Sequence, residues 1–508
     1  MIRSLCSLLL SSAAALALTA CGGDEASSPA SLADTAMSAR SAAASSLPPS
    51  VAVMDKCVAP RTGTDPGGYP YPDRQGTLDD ELSFLRLWTD ETYLWYSEIP
   101  ASVRQENFKD TASYFAALKT PLLTPAGKPK DRYHFTYPSD QWDHMSNGVE
   151  LGYGITWVGN GGGAPRTWRV AQVQPGSMAE ALGVARGDLL LAIDGIDFIR
   201  SNDAAEVAHI NAGLTPLTEG EQHVLRIQHL GFPRELKLAA APVRLEPVQD
   251  VSVLEQGGRR IGYMAFHRFD NPSEKALADA IAHLKERRVT DLVLDMRYNG
   301  GGLVQVAGEL AYMIAGPDAT AGKVFERLLA SDRREEPDPI LFDSKAHGFG
   351  GAQGLPRGTA LPTLGLRRVA VLTSPGTCSA SEALINGLRG VGIEVVLVGS
   401  TTCGKPHAFN PMPNCGTTYF SIQFHGVNHE GKGDFDDGFA PTCRVNEDFL
   451  KPLGHAEESK LAVALRYLDT GSCSAPGSAA RSAARLPDES LRPMRSPVSE
   501  ISVVTPRR

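Results

Sequence analysis

The spacing of apolar residues changes character along the chain, and each change predicts a different kind of element. Leu78, Leu82, Leu85 and Trp88 recur every three or four positions, the period of a helix with one buried face. The aromatic cluster of "LWTDETYLWYSEIP" follows and Pro100 closes it; these rings read as core packing. "TASYFAALK" predicts a second helix and "TPAGKPKDRYHFTY" a turn-rich connection. From about residue 147 the pattern shortens to strands. "GYGITWV" and "TWRVAQV" flank a glycine-rich turn, "PGSMAEALGV" predicts a short helix, and "GDLLLAIDG" a strand bounded by glycines. A helix ("DAAEVAHINAG") and two strands ("HVLRIQHL", "RELKLAA") complete this block. From about residue 247 strands and helices alternate. "RRIGYMAFHRF", "VTDLVLDM", "RRVAVLT" and "EVVLVG" predict strands, and "SEKALADAIAHLKERR", "LVQVAGELAYMIAG" and "SASEALINGLRG" predict helices. Continuous apolar strands alternating with helices indicate an α/β core with parallel pairing.

A chain of 508 residues exceeds one ordinary core. Its 42% hydrophobic and 21% charged residues are those of a globular protein, and its net charge of −9 argues against a nucleic-acid partner. "MIRSLCSLLLSSAAALALTAC" has Arg3, a short apolar run and small residues, which reads as a signal peptide. The "LTAC" end resembles a bacterial lipobox. That resemblance implies cleavage before Cys21, a lipid on Cys21, and globular domains in the periplasm of a bacterial cell envelope; the plainer alternative is an ordinary secreted protein. Beyond Cys6 and Cys21 there remain Cys57, Cys378, Cys403, Cys415, Cys443 and Cys473. An even number in an exported chain suggests disulfides, and Cys403 and Cys415 are near enough to clip a hairpin. No spacing resembles a zinc site, and no metal or cofactor is expected. Asp434, Asp436 and Asp437 depart from the EF-hand spacing and read as a polar turn.

The resulting layout is α/β and multidomain. A signal peptide covers 1–20, a flexible Ser/Ala/Gly/Pro tether 21–76, a helical N-terminal domain 77–146, a β-rich domain 147–245, an α/β core 246–470 and a disordered tail 471–508. The stretch "VQPGSMAEALGVARGDLLLAIDG" makes the β-rich block resemble a PDZ domain, nearly end to end. Such domains add an extended peptide as an extra strand and hold its terminal carboxylate on backbone N–H groups. The resemblance places that carboxylate loop at Gly152, Tyr153, Gly154 and Ile155; the alternative is a PDZ-shaped packing module with no free groove.

Within the core, Ser379 follows a buried strand and opens a helix. Ser379-Ala380-Ser381-Glu382 fits a capping box, worth about 1 kcal/mol, which would explain the serine without chemistry. No Gly-x-Ser-x-Gly elbow surrounds it. "LVLDMRYNGGGLVQ", however, puts three glycines between a strand and a helix, where backbone N–H groups can face an anion. "GSTTCGKPHAF" puts Lys405 at another strand end. A lysine acts as a base only when neutral, which requires desolvation.

"DMRYNGGG", "SASE" and "GSTTCGKP", in that order behind a PDZ-like block, resemble the C-terminal processing (tail-specific) serine peptidases. The resemblance implies a peptidase core of the Clp/crotonase-like β-β-α type with an inserted PDZ domain, acting as a serine endopeptidase on protein or peptide substrates. It assigns Ser379 as nucleophile and Lys405 as general base. The oxyanion would fall on the N–H groups of Ala380 and Gly301, with Gly302 as the alternative donor, and Asp295 and Arg297 would hold the glycine loop in shape. Two positions depart from the family pattern. Phe409 stands where a lysine-orienting Gln is common, and Arg389 and Gly390 stand where some members carry an acid. The third catalytic group is therefore unassigned, with Gln423 as a residue that could reach back. His407 is a rival base. The readings from other classes are a non-catalytic peptide-binding PDZ lipoprotein and a hydrolase of non-peptide esters.

Overall fold

The computed structural model describes residues 48–65, 68–474 and 491–494. The signal peptide, Cys21 and the first half of the expected tether lie outside them. The second half of that tether is packed rather than loose. Lys56–Cys57 pairs in parallel with Arg74–Gln75, the Asp55 N–H donates to Asn414 Oδ1 at 2.8 Å, and Cys57 is disulfide-bonded to Cys415. Among the described residues the other disulfides are Cys378–Cys403 and Cys443–Cys473. The anticipated Cys403–Cys415 clip is therefore wrong: proximity in sequence did not decide the pairing.

Helix α1 (Leu78–Thr92) begins at a complete capping box. The Thr77 N–H donates to Asp80 Oδ2 at 2.9 Å and the Asp80 N–H to Thr77 Oγ1 at 3.2 Å. Its buried face carries Leu82, Phe84, Leu85 and Trp88, which pack with Tyr114 and Phe115 of α2 (Thr111–Ala117). The front is not purely helical. The end of the turn-rich connection forms β1 (Phe135–Pro138), followed by α3 (Ser139–Ser146).

The next block is antiparallel. Strand β2 (Val149–Gly152) is followed by β3 (Ile155–Gly159), β4 (Trp168–Val173), the short α4 (Met178–Ala181) and β5 (Leu189–Ile193). Then come α5 (Ala204–Leu214), β6 (Gln222–His229), β7 (Phe232–Ala239) and β8 (Ala241–Arg244). The sheet runs β7–β6–β5–β4–β3, and β2 pairs separately with β8. Trp168, Leu190, Ile193, Phe198, Ile210 and Ile227 fill its core.

The core sheet contains β9 (Val248–Gln256), β10 (Arg259–Phe266), β11 (Asp291–Asp295), β12 (Arg368–Thr373) and β13 (Glu394–Gly399). They lie side by side in that order. β9 and β10 are antiparallel, and the steps from β10 to β13 are parallel. Alternate residues face opposite layers. Leu292, Leu294, Val369 and Val371 pack toward α6 (Ser273–Glu286), α7 (Val304–Ala315) and α8 (Ala380–Gly390). Val293, Ala370, Leu372 and Val396 pack toward α9 (Ser459–Thr470). Burial on both faces is why these strands read as unbroken apolar runs. Beyond β13, β14 (Met412–Asn414) and β15 (Thr417–Phe420) form a three-stranded sheet with β1, so the front and the core share one sheet.

A further structural expectation changes. Of the tail expected to be disordered, residues 492–493 form a strand, β17, antiparallel to β3; β16 (Cys443–Arg444) precedes it on the far edge of the core sheet. The PDZ-like block is also tied to the core by charge. Arg186 ion-pairs with Glu447 and donates to Tyr298 Oη at 2.6 Å. Glu447 also accepts from Arg297 at 2.8 Å and Lys460 at 2.7 Å.

Candidate active site

Three loops meet at the C-terminal ends of β11, β12 and β13, the place where parallel α/β sheets expose reactive groups. The first loop runs from Asp295 to Gly302. Arg297 is fully buried and donates to Asp295 Oδ1 at 2.9 Å and to both Glu458 oxygens at 2.9 Å. Its carbonyl accepts the Ser374 hydroxyl, and the Met296 carbonyl accepts Thr377 Oγ1 at 2.9 Å. Asp295 and Arg297 thus shape the loop and tie it to the turn before Ser379. Asn299 extends the tie: its carbonyl accepts the Cys378 N–H at 3.1 Å and the Ser381 hydroxyl at 3.0 Å.

The glycines bring this loop against the serine. A Cβ on Gly301 would lie 2.8 Å from Ser379 Cβ and 2.9 Å from the Ala380 nitrogen. Gly301 has φ +99° and Gly302 φ +140°, so side chains here would be strained as well as crowded. The Gly301 N–H is already engaged, donating to Asn299 Oδ1 at 2.9 Å. Gly302 pairs in parallel with Phe269: Phe269 N–H donates to Gly301 O at 3.1 Å and Leu303 N–H to Phe269 O at 2.7 Å. In that pattern the Gly302 N–H faces away from Phe269. The Gly301 N–H is thus turned to Asn299, while that of Gly302 is directed away from Phe269. Ala380 is the first helical residue of α8, and an N–H at that position has no acceptor within its own helix.

Ser379 itself has φ 57° and ψ −118°, a conformation that costs a non-glycine residue about 1–3 kcal/mol. The helix-cap explanation accounts for only part of it. Glu382 supplies the carboxylate half of a capping box, accepting the Ser379 N–H at 3.1 Å. The Glu382 N–H donates to the Ser379 carbonyl at 2.8 Å, and Ser379 is the N-cap of α8.

The same carboxylate reaches the third loop. Glu382 Oε2 accepts the Lys405 N–H at 2.8 Å, and Oε1 accepts the Gly404 N–H at 2.8 Å and Thr402 Oγ1 at 2.5 Å. One buried oxygen therefore binds the main chain of both Ser379 and Lys405. Burial raises the Glu382 carboxyl above its ordinary pKa, and the hydrogen bonds from Thr402, Lys405, Gly404 and Ser379 oppose that rise. The Cys378–Cys403 disulfide joins the two loops a second time, and the Cys403 N–H donates to Thr377 O at 3.0 Å. Lys405 is buried, its amine 4.1 Å from the Phe409 ring centroid and 4.8 Å from that of Tyr133. Phe409, which stands where a polar orienter was sought, is thus a wall of the lysine pocket. Tyr133 comes from the front region and donates to Gly404 O at 3.0 Å.

Gln423 does not reach the lysine; its amide bonds Asn410 and Arg334. His407 packs edge-on against Trp95, and burial, with His425 and Lys405 nearby, lowers its pKa to about 3. A base of that strength is too weak to take a serine proton near neutrality. The Asp436 carbonyl lies where a Cβ on Gly404 would sit, and Arg132 bridges both carbonyls at 3.1 Å. The acidic turn therefore buttresses the lysine loop. In the PDZ-like block, Gly152 ends β2, Tyr153 and Gly154 form the connecting turn, and Ile155 begins β3. Gly154 (φ +82°) sits so close to Ser177 that a Cβ would approach it to 2.3 Å.

Glu382 is the residue joining the serine and lysine loops that sequence reasoning passed over. Its signal was present in "SASE" but read only as a cap.

Such a sheet, with a strained serine at one strand end and a buried lysine at the next, behind a β-rich PDZ-like block, defines a peptidase-like α/β protein. Comparison agrees: residues 260–445 match the Peptidase family S41 model and residues 169–213 the PDZ domain model. Over those residues the core is similar to S41 peptidases and the β-rich block to PDZ domains. It resembles a carboxyl-terminal-processing protease of Picosynechococcus sp., with 29% identity over 231 residues, covering 46% of this chain and 49% of that protein. It also resembles the chloroplastic carboxyl-terminal-processing peptidase 1 of Arabidopsis thaliana, with 28% identity over 63% of this chain and 59% of that protein. The chain thus matches about half to three-fifths of the length of these two relatives. A solved Bacteroides fragilis structure assigned to the S41 proteases shares the fold, with a TM-score of 0.58 and 21% identity, covering 79% of this chain and all of that one.

Proposed function

We propose that this protein is a serine endopeptidase that cleaves protein or peptide substrates with a Ser379–Lys405 dyad. The observation that carries the reading is the Glu382 carboxylate bonded to the main chain of both residues. Neutral Lys405 takes the Ser379 hydroxyl proton as Oγ attacks the scissile carbonyl. The charge that develops on the carbonyl oxygen falls on the N–H groups of Ala380 and Gly302. The protonated lysine then gives its proton to the departing amine, and water releases the acyl group from Oγ, returning the serine. Glu382 and the Cys378–Cys403 bridge are positioning groups, since neither touches the reacting atoms. The PDZ domain takes the C-terminal end of a substrate along β3, with its carboxylate at Gly152–Ile155. Cys21 carries a lipid that anchors the protein to the bacterial cell envelope, with its globular part in the periplasm.

The test is labelling with a fluorophosphonate together with casein hydrolysis. Wild-type protein should be labelled at Ser379 and cleave casein. Ser379→Ala should lose labelling and lower kcat/KM by on the order of 10⁴-fold or more, and Lys405→Ala should come close to it. A folded wild-type protein that neither labels nor cleaves would make it a peptide-binding scaffold. Incorporation of radiolabelled palmitate, lost in Cys21→Ser, tests the anchor.

A further inference from the structure

The outer edge of the PDZ sheet is already occupied. β17 lies antiparallel on β3, with Arg492 opposite Gly159 and Pro493 opposite Val158, and the Met494 N–H donates to Trp157 O at 2.8 Å. As the numbering of the tail rises, that of β3 falls toward Ile155 and the turn at Tyr153–Gly154. A peptide that adds to β3 with its carboxylate on that turn would run in this same direction along this same edge.

The segment is seated on both sides. Met494 packs against the PDZ core cluster. A Cβ on Gly376 would lie 2.4 Å from Pro493 Cγ, so the proline ring rests on the turn that leads into Ser379. Pro493 has no N–H to offer outward, which suits an edge strand that should recruit no further partner. The tail therefore fills the space between the peptide edge and the nucleophile turn.

We propose that residues 491–494 are a built-in competitor for the PDZ peptide edge, and that an extended substrate with a free C-terminus must displace them to pair with β3. The inference rests on the reading of the PDZ domain as a peptide binder. A segment tethered to the same chain competes at an effective concentration of about millimolar, so even this short pairing holds off a dilute peptide. Few contacts are involved, so a peptide that fills the whole edge and reaches the carboxylate turn displaces it.

The experiment uses three proteins in the Ser379→Ala background: the full chain, a chain ending at Ser474 (which keeps Cys473), and full-length Met494→Asp. The probe is a fluorescein-labelled decapeptide ending in Leu-Ala-Ala with a free carboxylate, alongside its C-terminal amide, followed by fluorescence anisotropy. The truncated and Met494→Asp proteins should bind the free-acid probe at least tenfold more tightly than the full chain. A synthetic peptide of residues 488–498 should displace the probe from the truncated protein. Met494→Asp decides the matter if the truncation does not fold. Equal affinity of all three proteins for the free acid, with weaker binding of the amide, overturns the competitor and leaves the PDZ reading intact. Binding to none of them, or equal binding of acid and amide, overturns the PDZ reading and the competitor with it.

Discussion

Glu447 and Glu382 are both buried carboxylates that join separate parts of the chain, and their partners differ in kind. Glu447, between the PDZ domain and the core, faces the cations Lys460, Arg297 and Arg186. Burial alone would raise its pKa; the three cations outweigh burial and hold it well below the usual carboxylate range. Glu382, between the serine and lysine loops, accepts from three backbone N–H groups and a hydroxyl. There burial wins and the pKa rises. Charge pairing makes a strong clamp where rigidity is the requirement. Neutral donors fix geometry without placing a second cation beside an amine that, in the proposed mechanism, has to lose its proton.

The largest effect should come from breaking the charged clamp. Glu447→Gln leaves buried cations uncompensated and should destabilise the protein by about 3–5 kcal/mol, read from urea unfolding. A loss under 1 kcal/mol would show that these cations find other partners. Glu382→Gln keeps the shape but replaces an acceptor oxygen with a donor amide. It should reduce kcat/KM on the order of 10²-fold, about 2.7 kcal/mol, with a much smaller change in stability than Glu447→Gln. Lys405→Ala should be insensitive to the further Glu382→Gln change, because the proposed dyad is already gone.

Acid separates the two glutamates by sign. The folded pKa of Glu447 lies below its unfolded value of about 4.3. Its contribution is complete above that pH and is lost as pH falls toward the folded value. The stability gap between wild type and Glu447→Gln should therefore narrow as pH falls below about 4. The folded pKa of Glu382 is raised, so its ionised form costs stability that is recovered as pH falls through the folded value. Wild type should gain relative to Glu382→Gln over that range. Gaps that move in the same direction would refute the contrast. The smallest effect belongs to an exposed helical pair: Lys275→Ala, which removes the contact with Asp279, should change stability by no more than about 0.5 kcal/mol.

Local pattern carried the parts of this molecule that depend on local chemistry. The apolar runs of β11 to β13, the glycines beside them and the PDZ stretch were legible because each element writes its own period. Ser379 and Lys405 stood out because each follows a buried strand, where side chains emerge from the sheet. Pairings across long separations left no such mark. β1 reads as the end of a loop, and its partner β15 lies in a different domain of the expected layout. Cys57 found Cys415 rather than the nearer Cys403 joining it. Glu382 was visible but undervalued, since a capping box explains one of its hydrogen bonds and hides the others. β17 was hidden by composition: its surroundings are rich in Ser, Ala and Pro, and only the open edge of β3 gives its few residues a place to order.

The bond between Cys57 and Cys415 closes a loop of 358 residues. Synthesis proceeds from the N-terminus, so the first cysteine of this pair must wait, reduced, until most of the polypeptide has emerged. The PDZ block has every strand of its own sheet core within about a hundred residues and can settle early. The front of the molecule, and with it the Tyr133 wall over the lysine, is the portion whose covalent closure comes late in assembly.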